Sequence, residues 1–334
     1  MQLIRNLASF SRIRTSFLIC LHLGLSILVS NYENDLKNDL SLYIHITIGV
    51  LCLILCYINA ACVNDYADKE IDVLNDLTTS DRPLVNNRIS KKNIFLIYIF
   101  STISSLTLAA FLSLKIFILI LLVLVFNCIY SLKPVRLSYR GGLAIATLPF
   151  VYVLVPFFIG QQISKHIFSF NLMVISLSFY LLFCSRLILK DFRDIKGDTI
   201  YSKRTFLIRH GKLKTITASI TLQILGLISI TFIDVQFKIS ICLAVLFLTT
   251  NSIISLLEIL KHDDFKQQGP ILSMFGRLQT GILFCFISFF ILLQNSTQAL
   301  AVNIVLTSVC LLTVITAREI FIKGSIKQVR RLNT

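Results

Sequence analysis

Long apolar runs separated by short polar loops account for most of this chain. Crossing roughly 30 Å of hydrocarbon takes about 20 helical residues. Ten runs approach or reach that length, at about 15–30, 41–63, 93–113, 116–130, 142–160, 170–189, 215–233, 237–260, 277–294 and 297–317. Two of them are short, so eight or nine spans also fit the pattern. The pattern predicts an all-α, polytopic membrane bundle of about nine to ten transmembrane helices.

The distribution of basic residues tests this count. With ten spans, both chain ends and every loop after an even-numbered span share one face. Of the 32 Lys and Arg residues, only Lys37, Lys115, Lys165 and Lys238 fall on the other face. Basic loops mark the cytoplasmic side of a membrane protein, so we expect a multi-pass protein with both termini cytoplasmic. The first run lacks a small-residue cleavage site, and we expect it to be the first span.

Composition agrees with a membrane protein. Hydrophobic residues make up 55% of the chain, charged residues 15%, and the mean hydropathy is +0.80, values outside the range of soluble domains. Anchoring to anionic lipid headgroups accounts for the net charge of +15. Because the basic residues are spread over six loops, we expect membrane lipid and no nucleic acid as a partner. The nine cysteines all lie in predicted spans and suit apolar packing.

Two acidic clusters interrupt this apolar pattern with the same spacing. Both follow an apolar run and place acids at offsets of 0, 3 and 7 residues. They comprise Asp65, Asp68 and Asp72, and Asp191, Asp194 and Asp198. On a helix these offsets fall within a stripe roughly 60° wide. Like charges on one stripe repel each other, so helix stability does not explain them.

The clusters follow the second and sixth spans, which predicts two related four-helix halves around a central cavity. The halves are expected at about 12–135 and 141–262, with extra helices at about 277–317, all within one domain covering 1–334. Paired across a cavity, six carboxylates suit a hard divalent cation such as Mg²⁺, which binds through carboxylates and substrate phosphate oxygens. Diphosphate handling is the chemistry that this arrangement favours.

Basic residues near the clusters allow two interpretations. They could contact a phosphate or determine topology, and those on the same face are Arg82, Lys133, Lys190, Arg193, Lys203 and Arg204.

The acids also have a simpler interpretation, as solvated loop charges paired with nearby cations. The recurrence of the same spacing after two even-numbered spans favours a shared site instead.

Several segments together resemble a known family. The segment NDYADKEID at 64–72, followed by DRPL at 81–84, resembles the first signature of the UbiA superfamily of intramembrane aromatic prenyltransferases. KDFRDIKGD at 190–198, followed by KRT at 203–205, is similar to the second signature. YSLKP at 130–134 resembles the tyrosine-containing segment between them. The resemblance covers the first nine spans in order; the sequence VNN at 85–87 and a tenth span depart from it.

The resemblance implies a set of site residues. Mg²⁺ and a prenyl diphosphate would be held by Asp65, Asp68, Asp72, Asp191, Asp194 and Asp198. Diphosphate contacts would come from Asn64, Arg82, Lys133, Lys190 and Arg204. Tyr130 would lie near the allylic carbon of the donor. The helical fold and a cavity open to lipid are implied in the same way.

The expected activity is transfer of a polyprenyl chain from its diphosphate to a lipophilic acceptor. The main hypothesis is an aromatic, quinone-precursor-like acceptor with Mg²⁺-assisted release of diphosphate. The alternative is a UbiA-type enzyme with a polyprenyl-phosphate or glycerol-lipid acceptor, transferring a phosphoribosyl group or a lipid. A cation transporter is the non-enzyme alternative. It is disfavoured because both clusters lie at span ends, whereas transport acids usually lie near the bilayer midplane.

Overall fold

The protein is a bundle of long helices with two short helices at one end. A computed structural model describes residues 12–34, 39–75, 83–85, 89–165, 169–294 and 298–323. The helices are α1 (Ile13–Asn34), α2 (Leu40–Ala67), α3 (Lys69–Asn75), α4 (Lys91–Leu112), α5 (Leu114–Ser131), α6 (Gly141–Pro149), α7 (Val155–Ser164), α8 (Phe170–Leu187), α9 (Asp191–Ile200), α10 (Phe206–Ile230), α11 (Lys238–Ile259), α12 (Phe265–Gln294) and α13 (Ala299–Lys323). A π-turn, Phe150–Leu154, joins α6 to α7, so these two helices form one span.

Ten segments of the described chain are long and apolar enough to cross a membrane. They correspond one for one to the ten apolar runs in the sequence. Within the described residues the backbone pairs as strand at one isolated bridge, between Arg140 and Arg204. The predicted all-α membrane bundle is therefore confirmed, with ten candidate spans among the described residues. Its division into two related halves stays a prediction.

Hydroxyl side chains define where several spans begin. Ser90, Ser113, Ser169 and Thr205 precede α4, α5, α8 and α10, and each side chain accepts a hydrogen bond from a backbone N–H of the first turn. A helix leaves its first N–H groups without intrahelical partners, and a capping hydroxyl satisfies one of them. This sequence feature fixes the short hairpin between α4 and α5, where Ser113 both ends one helix and caps the next.

Two spans begin earlier than hydropathy predicts. Helix α12 starts at Phe265, twelve residues before the predicted start at 277, and α10 starts at Phe206 instead of 215. The added turns carry polar and basic side chains, which lower local hydropathy without preventing a helix from forming. Helix α10 contains a break at Gly211, whose φ of 78° lies in the left-handed region that glycine adopts readily.

The acidic clusters occupy the two short helices and the ends of their preceding segments. The second cluster lies on one continuous helix, α9. The first does not: Asp65 belongs to α2, Asp68 caps its end with a φ of −106°, and Asp72 belongs to α3. The expected single helical stripe is therefore interrupted at Asp68. Helices α3 and α9 pack against each other, which brings the two clusters to the same end of the bundle.

Helices α1 and α7 approach closely at a glycine. A Cβ added at Gly160 would lie 2.7 Å from the Cβ of Ser26 and 2.9 Å from the carbonyl oxygen of Leu23. Ser26 also donates a hydrogen bond to the Phe157 carbonyl oxygen at 2.7 Å. Small residues at membrane helix contacts allow the backbones to pack closely. This contact joins the first span to the fifth.

We expect Gly160→Ala to lower the free energy of unfolding by about 1–3 kcal/mol, the usual cost of overpacking a filled core. Gly24→Ala is the matched control, because a Cβ there would have no neighbour within 4 Å. Thermal unfolding of the purified protein in detergent measures both. Equal midpoints for the two variants would contradict the proposed close contact.

Candidate active site

One cavity of about 190 Å³ lies at the ends of α2 and α5, against the last turn of α6 and the π-turn that follows it, beside α3 and α9. Its outer part is lined by charged and polar side chains, and its inner part by aromatic and aliphatic ones. The lining comprises Arg12, Tyr57, Ala60, Ala61, Asn64, Asp68, Ile71, Asp72, Phe126, Asn127, Tyr130, Ser131, Ser138, Thr147, Leu148, Val151, Tyr152, Lys190, Arg193, Asp194, Asp198 and Lys203. Both acidic clusters thus contribute to a single amphipathic cavity.

The first cluster meets the cavity through Asp68 and Asp72. The Asp68 carboxylate accepts hydrogen bonds from Arg136 Nη2 at 2.7 Å and from Asn64 Nδ2 at 3.1 Å. Asp65 lies behind the lining with 2% of its side chain exposed, and Arg12 Nη2 donates to its Oδ1 at 2.6 Å. The acids of this cluster therefore occupy two layers, one at the cavity surface and one buried beside it.

The second cluster meets the cavity through Asp194 and Asp198. Arg193 donates to both oxygens of Asp194, at 2.8 and 2.9 Å. Asp198 is almost fully buried, and its Oδ1 accepts a hydrogen bond from Lys203 Nζ at 3.1 Å. Asp191 is also buried but does not line the cavity. Asp191 resembles Asp65 in this respect, since each is the first acid of its cluster.

Lys190 and Tyr130 form a link between the two halves of the sequence. Lys190 Nζ donates a hydrogen bond to the Tyr130 hydroxyl oxygen at 2.7 Å and lies 5.4 Å from the centroid of its ring. Both side chains line the cavity. The structure therefore brings together these two sequence-predicted residues with Asn64 and four of the six acids.

Other predicted residues lie elsewhere. Lys133 and Arg204 are exposed and do not line the cavity. Arg82, with Asp81, lies outside the described residues. A diphosphate contact from any of these three basic residues stays a prediction. The described cations that line the cavity are Arg12, Lys190, Arg193 and Lys203, and Arg136 contacts Asp68 from behind the lining.

Sequence reasoning gave no site role to Arg12 or Arg136. Arg12 immediately precedes the first span, where the basic residues predicted only topology. Arg136 lies three residues after Lys133, and its backbone adopts a left-handed conformation with φ of 42° and ψ of 66°. This conformation is costly for a residue other than glycine and clusters at functional sites. No sequence signal predicts that backbone conformation. The position of Arg136, two residues after the tyrosine-containing segment, was the one sequence feature that pointed toward the site.

Two loops are joined beside the cavity. Arg140 and Arg204 form the isolated backbone bridge that links the loop before α6 to the loop before α10. Gly141 makes this approach possible: its φ is 36°, and an added Cβ would lie 3.2 Å from the Arg204 carbonyl oxygen. Tyr139 lies in the first loop and Lys203 in the second, so the bridge holds these side chains near each other.

Burial and neighbouring charge set the ionisation of the acids and cations outside the spans. Burial raises the pKa of Asp198 to about 6, although the Lys203 ammonium opposes the shift. Burial also lowers the pKa of Lys203, but the carboxylates of Asp198 and Asp68 outweigh it and leave the pKa raised. The pKa of Lys190 is raised for a similar reason, by Tyr130 and Asp191 against the effect of burial. Both lysines therefore remain protonated and positively charged at neutral pH.

The donor set of the cavity fits Mg²⁺ bound together with a diphosphate. Four carboxylates and the Asn64 amide offer hard oxygen ligands, the kind that Mg²⁺ takes. Two buried oxygens at the cavity, Asp198 Oδ2 and Ser138 Oγ, make no hydrogen bond within the described part of the chain. In the same residues no three acids, His or Cys lie close enough to hold a metal by themselves. Mg²⁺ usually keeps several waters and binds with substrate phosphates, so a preformed protein cage is not required.

The chain belongs to the UbiA prenyltransferase family, whose model matches residues 26–276. Among curated proteins it is 27% identical over 184 residues to the bacteriochlorophyll synthase 34 kDa chain of Chloroflexus aurantiacus, covering 55% of this chain and 57% of that protein. It is 28% identical over 181 residues to the digeranylgeranylglyceryl phosphate synthase of Methanosphaera stadtmanae, covering 54% and 63%. The matches thus span less than two-thirds of the length of these relatives.

Solved structures show the same fold. A UbiA homologue from Archaeoglobus fulgidus bound to GPP and Mg²⁺ superposes with a TM-score of 0.63 at 18% identity, over 86% of this chain and 99% of that one. A structure from work on digeranylgeranylglyceryl phosphate synthase in membranes superposes with a TM-score of 0.64 at 17% identity. The match covers 87% of this chain and 99% of that one. The fold of the family therefore extends through most of this chain.

We expect Tyr130→Phe to lower the free energy of unfolding by about 1–3 kcal/mol, because it removes a hydrogen-bond acceptor from the Lys190 ammonium. Tyr98→Phe is the matched control, since among the described residues the Tyr98 hydroxyl contacts the Cys128 thiol, at 3.5 Å, and the Thr102 hydroxyl, and no charged group. Thermal unfolding in detergent compares the two variants. A loss in Tyr130→Phe no larger than that in Tyr98→Phe would show that the Lys190 contact contributes nothing.

Proposed function

We propose that this protein is an Mg²⁺-dependent membrane prenyltransferase that moves a polyprenyl chain from a prenyl diphosphate to a lipophilic acceptor. The observation that carries the proposal is the convergence of both acidic clusters on one cavity that is charged outside and aromatic inside. The charged part matches the diphosphate and the apolar part matches the prenyl group. Membership of the prenyltransferase family supports the same reaction class.

The polar residues would bind and orient the diphosphate. Bound Mg²⁺ would supply Lewis-acid stabilisation of the leaving group. Asp68, Asp72, Asp194 and Asp198 would hold it, and all four line the cavity. Lys190 contributes a charged ammonium beside them, fixed by its hydrogen bond to Tyr130. Positive charge held in position stabilises negative charge that develops on the leaving oxygen.

The aromatic residues would act on the prenyl part of the donor. As the allylic C–O bond breaks, its electron pair leaves with the diphosphate and positive charge develops on carbon. Tyr57, Phe126, Tyr130 and Tyr152 line the cavity, and each ring face can attract such a charge with about 0.5–2 kcal/mol. An acceptor atom then forms the new bond and releases its proton. Enclosure by the helices limits attack by water.

The acceptor is the part of the proposal with two candidates. An aromatic, quinone-precursor-like acceptor was the main expectation from sequence. A glycerol-lipid acceptor has the support of a relative whose name specifies a glyceryl phosphate bearing geranylgeranyl groups. The same cavity serves either, because the diphosphate chemistry is shared and only the nucleophile differs.

We expect Asp194→Asn to lower Mg²⁺-dependent release of diphosphate by about 100-fold or more, the loss typical of removing one group that stabilises transition-state charge. The assay uses purified protein in detergent with a radiolabelled prenyl diphosphate. Asp263→Asn is the matched control, since Asp263 is 99% exposed and pairs with Lys212 away from the cavity. Wild-type turnover in Asp194→Asn would refute the mechanism.

A panel of acceptors decides between the two acceptor classes. Purified protein is given a prenyl diphosphate with either an aromatic carboxylic acid or an isoprenoid glyceryl phosphate, and lipid products are identified by mass. We expect a prenylated product from one class only, because the nucleophile must lie against the allylic carbon in a cavity of about 190 Å³. If no acceptor yields a prenylated product and no diphosphate is released from the donor, prenyl transfer itself is excluded.

A further inference from the structure

Two cations beside the cavity share one aromatic ring. The Arg136 guanidinium carbon lies 4.0 Å from the centroid of the Tyr139 ring, and Lys203 Nζ lies 5.9 Å from it. Each cation also pairs with an acid of a different cluster: Arg136 with Asp68, and Lys203 with Asp198. We name these five residues the Tyr139 cluster. It joins the first half of the sequence to the second at the cavity.

Backbone contacts hold the residues of the Tyr139 cluster in place. The Arg140–Arg204 backbone bridge fixes the two loops that carry Tyr139 and Lys203. Arg136 donates a second hydrogen bond, to the Ala67 carbonyl oxygen at 3.0 Å, and its backbone is strained. Arg136 Nε is buried and makes no hydrogen bond within the described residues. Each cation therefore keeps donor capacity beyond its carboxylate, because a guanidinium has five N–H donors and an ammonium three.

The acids of these pairs are the same ones that face the cavity as candidate Mg²⁺ ligands. A carboxylate oxygen that accepts a hydrogen bond from Arg136 or Lys203 is less available to a metal. The cations would thus compete with a bound Mg²⁺ for Asp68 and Asp198. If those carboxylates held the metal, the cations would lose their counter-charge while remaining next to the cavity, and a diphosphate oxygen is the anion that would replace it.

We propose that Arg136 and Lys203 are internal counter-ions that exchange partners, from Asp68 and Asp198 in the metal-free protein to the donor diphosphate in the loaded one. Tyr139 supports both cations through the exchange by cation–π attraction. The exchange keeps buried charges compensated in each state, which matters because an uncompensated buried charge is strongly destabilising. This inference rests on the proposed function and adds two diphosphate-binding residues to it.

The exchange predicts that removing one cation changes the affinity for Mg²⁺ and the affinity for the donor diphosphate in opposite directions. Removing either cation takes away a competitor of the metal, so Mg²⁺ alone should bind more tightly. The same removal takes away a partner of the diphosphate, so donor binding in the presence of Mg²⁺ should weaken. A residue that only supports the fold would weaken both or neither.

The experiment titrates Lys203→Met and Arg136→Met with each ligand by calorimetry. The proteins are purified in detergent at mildly alkaline pH, where Asp198 is ionised. The probes are Mg²⁺ alone, and geranyl thiodiphosphate, which resists turnover, in saturating Mg²⁺. We expect Mg²⁺ alone to bind at least 3-fold more tightly to each variant. We expect the thiodiphosphate to bind at least 10-fold more weakly. Lys203→Arg, which keeps the charge, should restore thiodiphosphate binding to within 3-fold of wild type.

Lys212→Met is the matched control. Lys212 also pairs with an acid, Asp263, and with the carbonyl oxygens of Leu260 and His262, but it does not line the cavity. Both affinities should stay at their wild-type values. Arg136→Met provides an independent measurement if Lys203→Met does not fold, and thermal unfolding monitors both.

The outcomes separate this inference from the proposed function. If the wild-type protein does not bind the thiodiphosphate with Mg²⁺, the proposed function fails. If wild type binds it but both affinities of the variants fall together or stay unchanged, the partner exchange fails and the proposed function stands. Opposite changes in the variants, with none in Lys212→Met, support the exchange.

Discussion

The compensation of buried carboxylates by nearby cations is the constraint on which the site depends. Asp65 and Asp68 take their cations, Arg12 and Arg136, from distant loops, whereas Asp194 and Asp198 pair with Arg193 and Lys203, one and five residues away. Burial of a charge in a bundle of apolar helices is unfavourable unless it is paired. The short helices α3 and α9 can therefore lie over the cavity only because the loops around them supply positive charge.

This constraint explains why the site lies at an end of the bundle. The inner wall of the cavity is aromatic. It includes Tyr57 and Tyr152, whose rings meet edge to face with 5.8 Å between centroids. The outer wall of the cavity is polar because its residues come from loops and helix ends, where charged side chains lie outside the apolar spans. A cavity with one charged end and one aromatic end suits an amphipathic molecule in one orientation. This shape agrees with the proposed donor, which has a polar head and an apolar tail.

The sequence predicted the spans and the two acidic clusters because both are local properties. Apolar run length decides whether a helix crosses a membrane, and the offset pattern of the acids is visible in a few residues. Hydropathy failed at the starts of α10 and α12, where helices continue into polar sequence. Conversely, the lysine predicted between the clusters, Lys133, is exposed, while Arg136 contacts Asp68. That difference depends on a left-handed turn in the backbone, which hydropathy does not report.

The ion pairs of the site were beyond sequence reasoning for a related reason. Arg12 and Asp65 are 53 positions apart, and Arg136 and Asp68 are 68 apart. Such pairs depend on how whole spans pack, and a single sequence gives no measure of that packing. Residue type alone left six basic candidates on one face. Of the five that the structure describes, Lys190, Arg193 and Lys203 line the cavity, and Lys133 and Arg204 do not.

The backbone bridge between Arg140 and Arg204 also limits how this site can change over time. The bridge and the close approach at Gly141 require both loops to have the lengths that they have. An insertion in either loop alone would move Tyr139 away from Lys203 and uncouple the two sequence halves. The two loops must therefore keep matched lengths, and Gly141 at their closest approach can change only if the loops move apart.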